Sequence, residues 1–178
     1  MTDSVMIDIE TLGQAPDAVV VSIGAVRFSL DTGSVDEAGG FYRAIDPTSD
    51  PVGKFDASTI VWWMKQSQAA RDAWMTGGIS AKAALSDFYF WTREIVGNVW
   101  ANPPTFDLTI LDSLYKRHGI QKPWHYRQER CSRTLFNLAI DRGFSPLIAD
   151  KPHHALQDAI LQAHGLCAAY RFLFPSRP

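Results

Sequence analysis

A chain of 178 residues with 46% hydrophobic and 20% charged side chains has an ordinary globular composition and the length of one domain. That composition excludes disorder, collagen and coiled coil, and a chain of this size builds a core without disulfide staples. The 17 basic and 19 acidic residues leave a formal net charge of −2, which excludes a nucleic-acid binder that works by bulk positive charge alone. Cys131 and Cys167 are far apart and form no CxxC pair. Zinc ribbons and disulfide frameworks are therefore excluded, and a reducing, cytoplasmic setting is expected. Asp3, Asp8 and Glu10 stand where a secretory signal would need an apolar stretch. The longest apolar run, residues 18–26, is short and interrupted by Ser22 and Gly24, so no membrane span is expected.

No repeat, low-complexity tract or linker divides the chain, and a single domain over residues 1–178 is expected. Residues 5–9 read as a short strand, and residues 19–28 as a longer one rich in Val and Ile. The turn residues Asp31, Thr32 and Gly33 follow, and residues 40–45 return as a third strand. Three runs joined by short polar breaks predict an antiparallel meander. The period then changes. Asp56 is placed to cap a helix through Trp62, Trp63 and Met64, and Ser67 to cap another through Trp74 that Gly77 and Gly78 close. Residues 80–96 carry Ala84, Leu85, Phe88, Trp91 and Ile95 at helical spacing. Residues 99–101 predict a buried strand. Phe106, Ile110, Leu111, Leu114 and Tyr115 form a helical stripe that stops at Gly119. Residues 134–142 predict a short helix, and residues 153–174 a last long one with Leu156, Ile160, Ala163, Cys167 and Tyr170 on one side. Strands first, then helices alternating with short strands, predict an α/β or α+β layer protein.

The strongest local chemical feature is Asp8-Ile9-Glu10-Thr11. Residues i and i+2 of a strand share a face, so Asp8 and Glu10 point the same way while Ile7 and Ile9 enter the core. Two carboxylates about 7 Å apart on one face repel at neutral pH, and a cation relieves that repulsion. Taken alone, the motif fits a solvated edge strand equally well. Asp107 falls in the first turn of a helix, straight after the predicted strand 99–101. A carboxylate there suits the helix dipole as a simple cap, and the carboxyl end of a strand is also where α/β sheets place ligands. His153-His154-Ala155-Leu156-Gln157-Asp158 opens the last helix behind Pro152. Either histidine alone is more readily an ordinary helix-start residue. Asp158, beside the apolar stripe, is a charge that needs a partner. Four carboxylates with one imidazole form a donor set for hard divalent cations such as Mg²⁺ or Mn²⁺. Four carboxylates suffice for two ions, the arrangement used for in-line attack at phosphorus.

These motifs, in this order, resemble the DnaQ-like 3′–5′ exonucleases, the DEDDh family, across nearly the whole chain. Asp8 to Thr11 resembles the first motif, Phe106-Asp107 the second, and His153 through Asp158 the third, with its H-x4-D spacing. Ser58 to Met64 and Val99-Trp100 are similar to the small single-domain branch that includes ribonuclease AS and related phage and bacterial exonucleases. The resemblance implies a ribonuclease H-like α/β fold: a mixed sheet, with an antiparallel three-stranded meander plus parallel strands, flanked by helices. One departure stands out. The stretch before the second motif, glycine-rich in that branch, is Ala101-Asn102-Pro103-Pro104-Thr105 here, and its two prolines lack backbone donors.

By the same resemblance, Asp8, Glu10, Asp107 and Asp158 hold two Mg²⁺ or Mn²⁺ ions. His153 takes the proton from the attacking water, a role suited to the side chain that exchanges protons near neutral pH. Thr11 and Leu12 occupy the places that contact the 3′ end and wedge between bases. Trp62 and Trp63 are candidates for base stacking, and Phe106 adjoins the second motif. Adjacent helical residues point about 100° apart, which puts one tryptophan in the core and one in the cleft, and a core position for both fits nearly as well. The run from Lys122 to Arg133 mixes basic and aromatic residues, and a phosphate guide, a subunit contact and a solvated loop all fit it. The implied reaction releases nucleoside 5′-monophosphates from the 3′ end of RNA or single-stranded DNA, with RNA slightly favoured. A homodimer is implied by resemblance only. Two rival classes stay open: a catalytically idle nucleic-acid-binding relative, which retention of every carboxylate opposes, and a metal-dependent phosphoesterase acting on small nucleotides.

Overall fold

The structure is a computed structural model that describes residues 4–93, 97–146 and 152–175. Five strands form one mixed sheet in the order β3-β2-β1-β4-β5. β1 (Ser4–Thr11) pairs antiparallel with β2 (Val20–Phe28), which pairs antiparallel with β3 (Val35–Ala44). On its other side β1 pairs parallel with β4 (Asn98–Ala101), and β4 pairs parallel with β5 (Glu129–Cys131).

Strand alternation sorts the core into two faces. Val5, Ile7 and Ile9 point to one side, with Ile23, Ala25 and Phe41. They pack there on α3 (Ala81–Thr92) through Ala84, Leu85 and Phe88, and on α4 (Asp107–Arg117) through Leu108, Leu111 and Leu114. Met6 points to the other side with Val26, Phe28 and Trp100. It meets Ala159, Ala163, Leu166 and Cys167 of α6 (Ala155–Leu173), and Leu135 and Phe136 of α5 (Ser132–Ile140) pack alongside. A smaller cluster of Leu12, Val19, Val21, Trp63 and Ala70 seats α1 (Ala57–Met64) and α2 (Gln68–Met75) at the end of the meander.

Asp56 and Ser67 cap their helices as the sequence predicts, and Ser80 adds a third cap. Asp56 accepts from the Ser58 N–H, Ser67 from the Ala70 N–H and Ser80 from the Ala83 N–H. Gly119, at φ +67°, ends α4 in the left-handed conformation that glycine tolerates. The differences sit at edges and ends. β3 begins five residues before the predicted run, in the polar stretch Val35-Asp36-Glu37. β5 lies in a stretch where no strand is predicted; it is three residues long and carries Glu129 and Arg130. Both are edge strands, where polar side chains replace the apolar alternation that marks a strand in sequence. α3 ends at Thr92, and the predicted extension through residues 94–96, with Ile95, lies outside the described residues. α5 starts two residues earlier than predicted and α6 two residues later.

One glycine sets the spacing of the whole α6 face. Gly24 of β2 lies opposite Asp8 in the antiparallel register. A Cβ there would sit 2.1 Å from the backbone carbon of Ala155 and the backbone nitrogen of Leu156. The start of α6 therefore rests directly on the β2 backbone, which brings the residues before and after it up to β1. Among the described residues no helix is long and apolar enough to cross a membrane.

Candidate active site

Met6, Asp8 and Glu10 occupy alternate positions of β1 and share the face under α6. Along that face the strand passes from an apolar contact at Met6 to two acids. Asp107, the first residue of α4, is 4% exposed, and its Oδ1 accepts from the Ile9 N–H at 3.2 Å. It bonds to β1 between the two acids rather than capping its own helix. Asp158, in the first turn of α6, is also 4% exposed, and its Oδ2 accepts from the His154 N–H at 3.2 Å. The four acids come from β1, α4 and α6, and their mutual repulsion is visible at Asp8. Burial first, then the charges of Asp107, Glu10 and Asp158, raise its carboxyl well above the usual range. A hydrogen bond from Gln162 Nε2 to Asp8 Oδ1, 2.7 Å long, acts in the opposite direction.

His153 completes the group. One ligand atom each from Glu10, His153 and Asp158 lies within 4.8 Å of the others. His153 has φ +52°, the left-handed region that non-glycine residues seldom occupy. Its neighbour holds it there. The His154 ring stacks on Tyr42 at 4.2 Å, and the Tyr42 hydroxyl donates to the Ala73 carbonyl at 2.6 Å. The two histidines therefore diverge: His153 turns to the acids and His154 to β3. Burial lowers the His154 pKa, which favours its neutral form.

A cleft of about 620 Å³ opens beside the acids, lined by Ile9, Glu10, Thr11, Gly13, Gln14, Ser58, Thr59, Trp62 and Phe106. Trp62, 40% exposed, sets its indole edge-on to the His153 ring at 4.8 Å. Phe106 reaches the cleft because the two prolines build a turn. The Pro103 carbonyl accepts from the Phe106 and Asp107 N–H groups, and the Pro104 carbonyl from Leu108 and Thr109. The prolines thus lack donors but supply the acceptors that start α4.

Two of the expected substrate contacts lie beneath the cleft surface. Trp63 is 3% exposed and donates its indole N–H to the Thr11 carbonyl at 2.8 Å. Leu12 is equally buried and packs with Trp63, Val19 and Val21. Both belong to the layer beneath the cleft, in the apolar cluster that also holds Val19, Val21 and Ala70 and that Ile60 and Trp74 pack against. Thr11 lines the cleft, but its hydroxyl is turned inward and donates to the Gly13 carbonyl at 2.6 Å. Gln162, Gly24 and the Tyr42–His154 pair were not singled out in the sequence. The one available signal for Gln162 is its place four residues after Asp158, on the same helix face.

The donor chemistry fits hard divalent cations. The oxygens of Asp8, Glu10, Asp107 and Asp158 dominate the set, with one imidazole, and acids gathered at low exposure need positive charge. Gln162 Oε1, on the amide that bonds to Asp8, is buried with no partner among the described residues.

Residues 3–170 match the family described as the 3′–5′ exoribonuclease Rv2179c-like domain. Comparison with curated protein sequences finds no match. Several solved structures share the fold. Cell-death related nuclease 4 superposes with a TM-score of 0.66 at 16% identity, over 93% of this chain and 62% of that one. The zinc-bound complex of E. coli exonuclease I with single-stranded DNA gives 0.69 at 12% identity, over 98% and 41%. The nuclease domain of 3′hExo, a DEDDh family member bound to rAMP, gives 0.67 at 12% identity, over 97% and 92%. The chain thus spans under two thirds of the first two proteins and nearly all of the third domain. At these identities the likeness concerns architecture, and the ribonuclease H-like sheet and flanking helices expected from the motifs are the ones observed.

Proposed function

We propose, from the premise that the chain belongs to the family of Rv2179c-like 3′–5′ exoribonuclease domains, that it is a divalent-metal-dependent 3′–5′ exonuclease that removes nucleoside 5′-monophosphates from RNA. The observation that carries this reading is the convergence of Asp8, Glu10, Asp107, Asp158 and His153 beside an open cleft floored by β1. Asp8, Glu10, Asp107 and Asp158 would hold the cations, two by the number of carboxylates. When bound, such ions stabilise the charge that develops on the attacking and leaving oxygens at phosphorus.

The chain's own residues do the rest. Asp107 and Asp158 are held by the Ile9 and His154 N–H groups, so the acids are positioned before substrate arrives. His153, kept facing them by the His154–Tyr42 stack, takes the proton from the attacking water. Trp62 and Phe106 offer aromatic faces to the terminal bases, a contact worth about 1–3 kcal/mol per base that tolerates any sequence. Trp63 fixes the Thr11 carbonyl and with it the end of β1 at the cleft floor.

The test uses 5′-labelled RNA and DNA oligonucleotides of one sequence, with Mg²⁺ or Mn²⁺. A descending ladder from the 3′ end, faster on RNA, is expected, and a circular strand should survive. Cutting of the circle would identify an endonuclease, and faster cutting of DNA would overturn the substrate assignment. Hydrolysis of a mononucleotide ester as fast as of the oligonucleotide would point instead to a small-molecule phosphoesterase.

A further inference from the structure

The acids are not the only polar groups under α6. Gln162 lies one helical turn beyond Asp158, so both side chains leave the same face of α6 toward β1. The residue is 8% exposed, and its amide is fixed from one end, where Nε2 donates to Asp8 Oδ1 at 2.7 Å. The Asp8 oxygen accepts in this contact, so Nε2 is the end of the amide that faces Asp8. The other end, Oε1, is buried and has no partner among the described residues. A buried amide oxygen of this kind is an unfilled acceptor in a region otherwise crowded with acceptors.

We propose that Gln162 is a positioning residue of the metal centre: its amide N–H locks the Asp8 carboxylate, and its Oε1 accepts a hydrogen bond from the hydration water of a divalent cation. This rests on the reading of the acidic cluster as a metal centre. The logic is that of outer-shell partners in general, which orient a ligand and tune its ion. With one Asp8 oxygen engaged by Gln162, the carboxylate has a single orientation to offer. Mg²⁺ dehydrates reluctantly and keeps several waters, so an outer-shell acceptor matters more for it than for Mn²⁺. The alternative is that Gln162 merely fills the space between α6 and β1. Methionine fills the same space without a donor or a carbonyl acceptor, while histidine still presents a ring N–H.

The experiment titrates Mg²⁺ and Mn²⁺ into metal-free wild type, Gln162→Met and Gln162→His at pH 8, read by calorimetry and by the rise in melting temperature. Steady-state kinetics on an RNA oligonucleotide at saturating metal accompany it. Gln162→Met should need about 10-fold or more metal for half-saturation, with the larger shift for Mg²⁺. Its KM for the oligonucleotide should stay within about twofold of wild type, because the cleft residues are untouched. Gln162→His should bind metal within about threefold of wild type. A folded Gln162→Met that binds both ions like wild type would overturn the proposal. So would a folded Gln162→His with a tenfold loss, which decides the matter even if Gln162→Met fails to fold. Wild-type protein that binds neither ion would refute the metal centre itself.

Discussion

Asp8→Asn is the sharpest test of the acidic cluster, because it should strengthen the fold while removing the activity. The amide keeps an oxygen for Gln162 Nε2 and loses only the charge. Asp107, Glu10 and Asp158 all push the Asp8 carboxyl up, after burial itself. One like-charge pair about 6 Å apart costs about 3 kcal/mol at an effective dielectric of ~20. Taking up a proton limits that cost to about 1.4 kcal/mol for each pH unit by which the solution lies above the unfolded pKa. A net gain of about 1–3 kcal/mol in the metal-free protein at neutral pH follows, or about 2–12 °C in Tm for a chain of this length. The pH dependence has a definite sign. The folded carboxyl holds its proton to higher pH than the unfolded one. Wild-type stability therefore rises as pH falls from neutral through the raised pKa toward the ordinary carboxylate value near ~4. Asp8→Asn lacks this contribution, so its advantage should shrink over the same window. Divalent metal should reverse the ranking, since an ion at about 100 times its Kd stabilises the wild type by about 2.7 kcal/mol. Scanning calorimetry of both proteins, with EDTA and with Mn²⁺ at several pH values, measures all of this. A metal-free Asp8→Asn that melts lower than wild type, or one that keeps the full Mn²⁺-induced rise, would refute the reasoning.

His153→Ala should lose about 10²–10⁴-fold in kcat while keeping most of the Mn²⁺-induced rise in Tm; an equal loss of metal binding would make the imidazole a ligand rather than a base. Trp62→Ala should weaken oligonucleotide binding by about 5–150-fold at unchanged Tm, and a stability loss in its place would return the residue to the core. Trp63→Ala should instead cost about 3–5 kcal/mol of stability, or about 6–20 °C, in a thermal melt; a variant that melts like wild type would show the indole to be no part of the core. Gly24→Ala should lower Tm and displace the start of α6, because the added Cβ meets backbone rather than a movable side chain; retained metal binding and activity would show that this close approach is dispensable.

Much of the site was legible because it obeys local rules. The strand period places Asp8 and Glu10 on one face, and the caps at Asp56, Ser67 and Ser80 are set by their own side chains. The rest depends on tertiary contacts that leave no local mark. Trp62 and Trp63 are the same residue type one position apart, and only the apolar cluster of Leu12, Val19 and Val21 decides which is buried. β5 is specified by pairing with β4 rather than by its own polar residues. The left-handed His153 depends on a tyrosine more than a hundred residues away in sequence. A glutamine on a helix fits every amphipathic pattern, so Gln162 becomes visible only once β1 lies beneath it.

The same helix closes the core and carries part of the proposed site. α6 brings Asp158 and the neutral amide of Gln162 to the acidic cluster, while Ala159, Ala163 and Leu166 of that helix pack on Met6 and Val26. Asp158 and Ala159 are adjacent, so a shift that relieved the acids would open the apolar contact next to them. Gly24 removes the other escape, since the start of α6 already rests on the β2 backbone. Held from both sides, the helix cannot move away from Asp8 and Glu10 without losing core contacts. Packing thus keeps like charges together that would separate in a looser chain, and a bound cation would relieve the strain without any rearrangement of the helix. On this argument metal affinity depends on the packing of α6 as well as on the carboxylates that α6 presents.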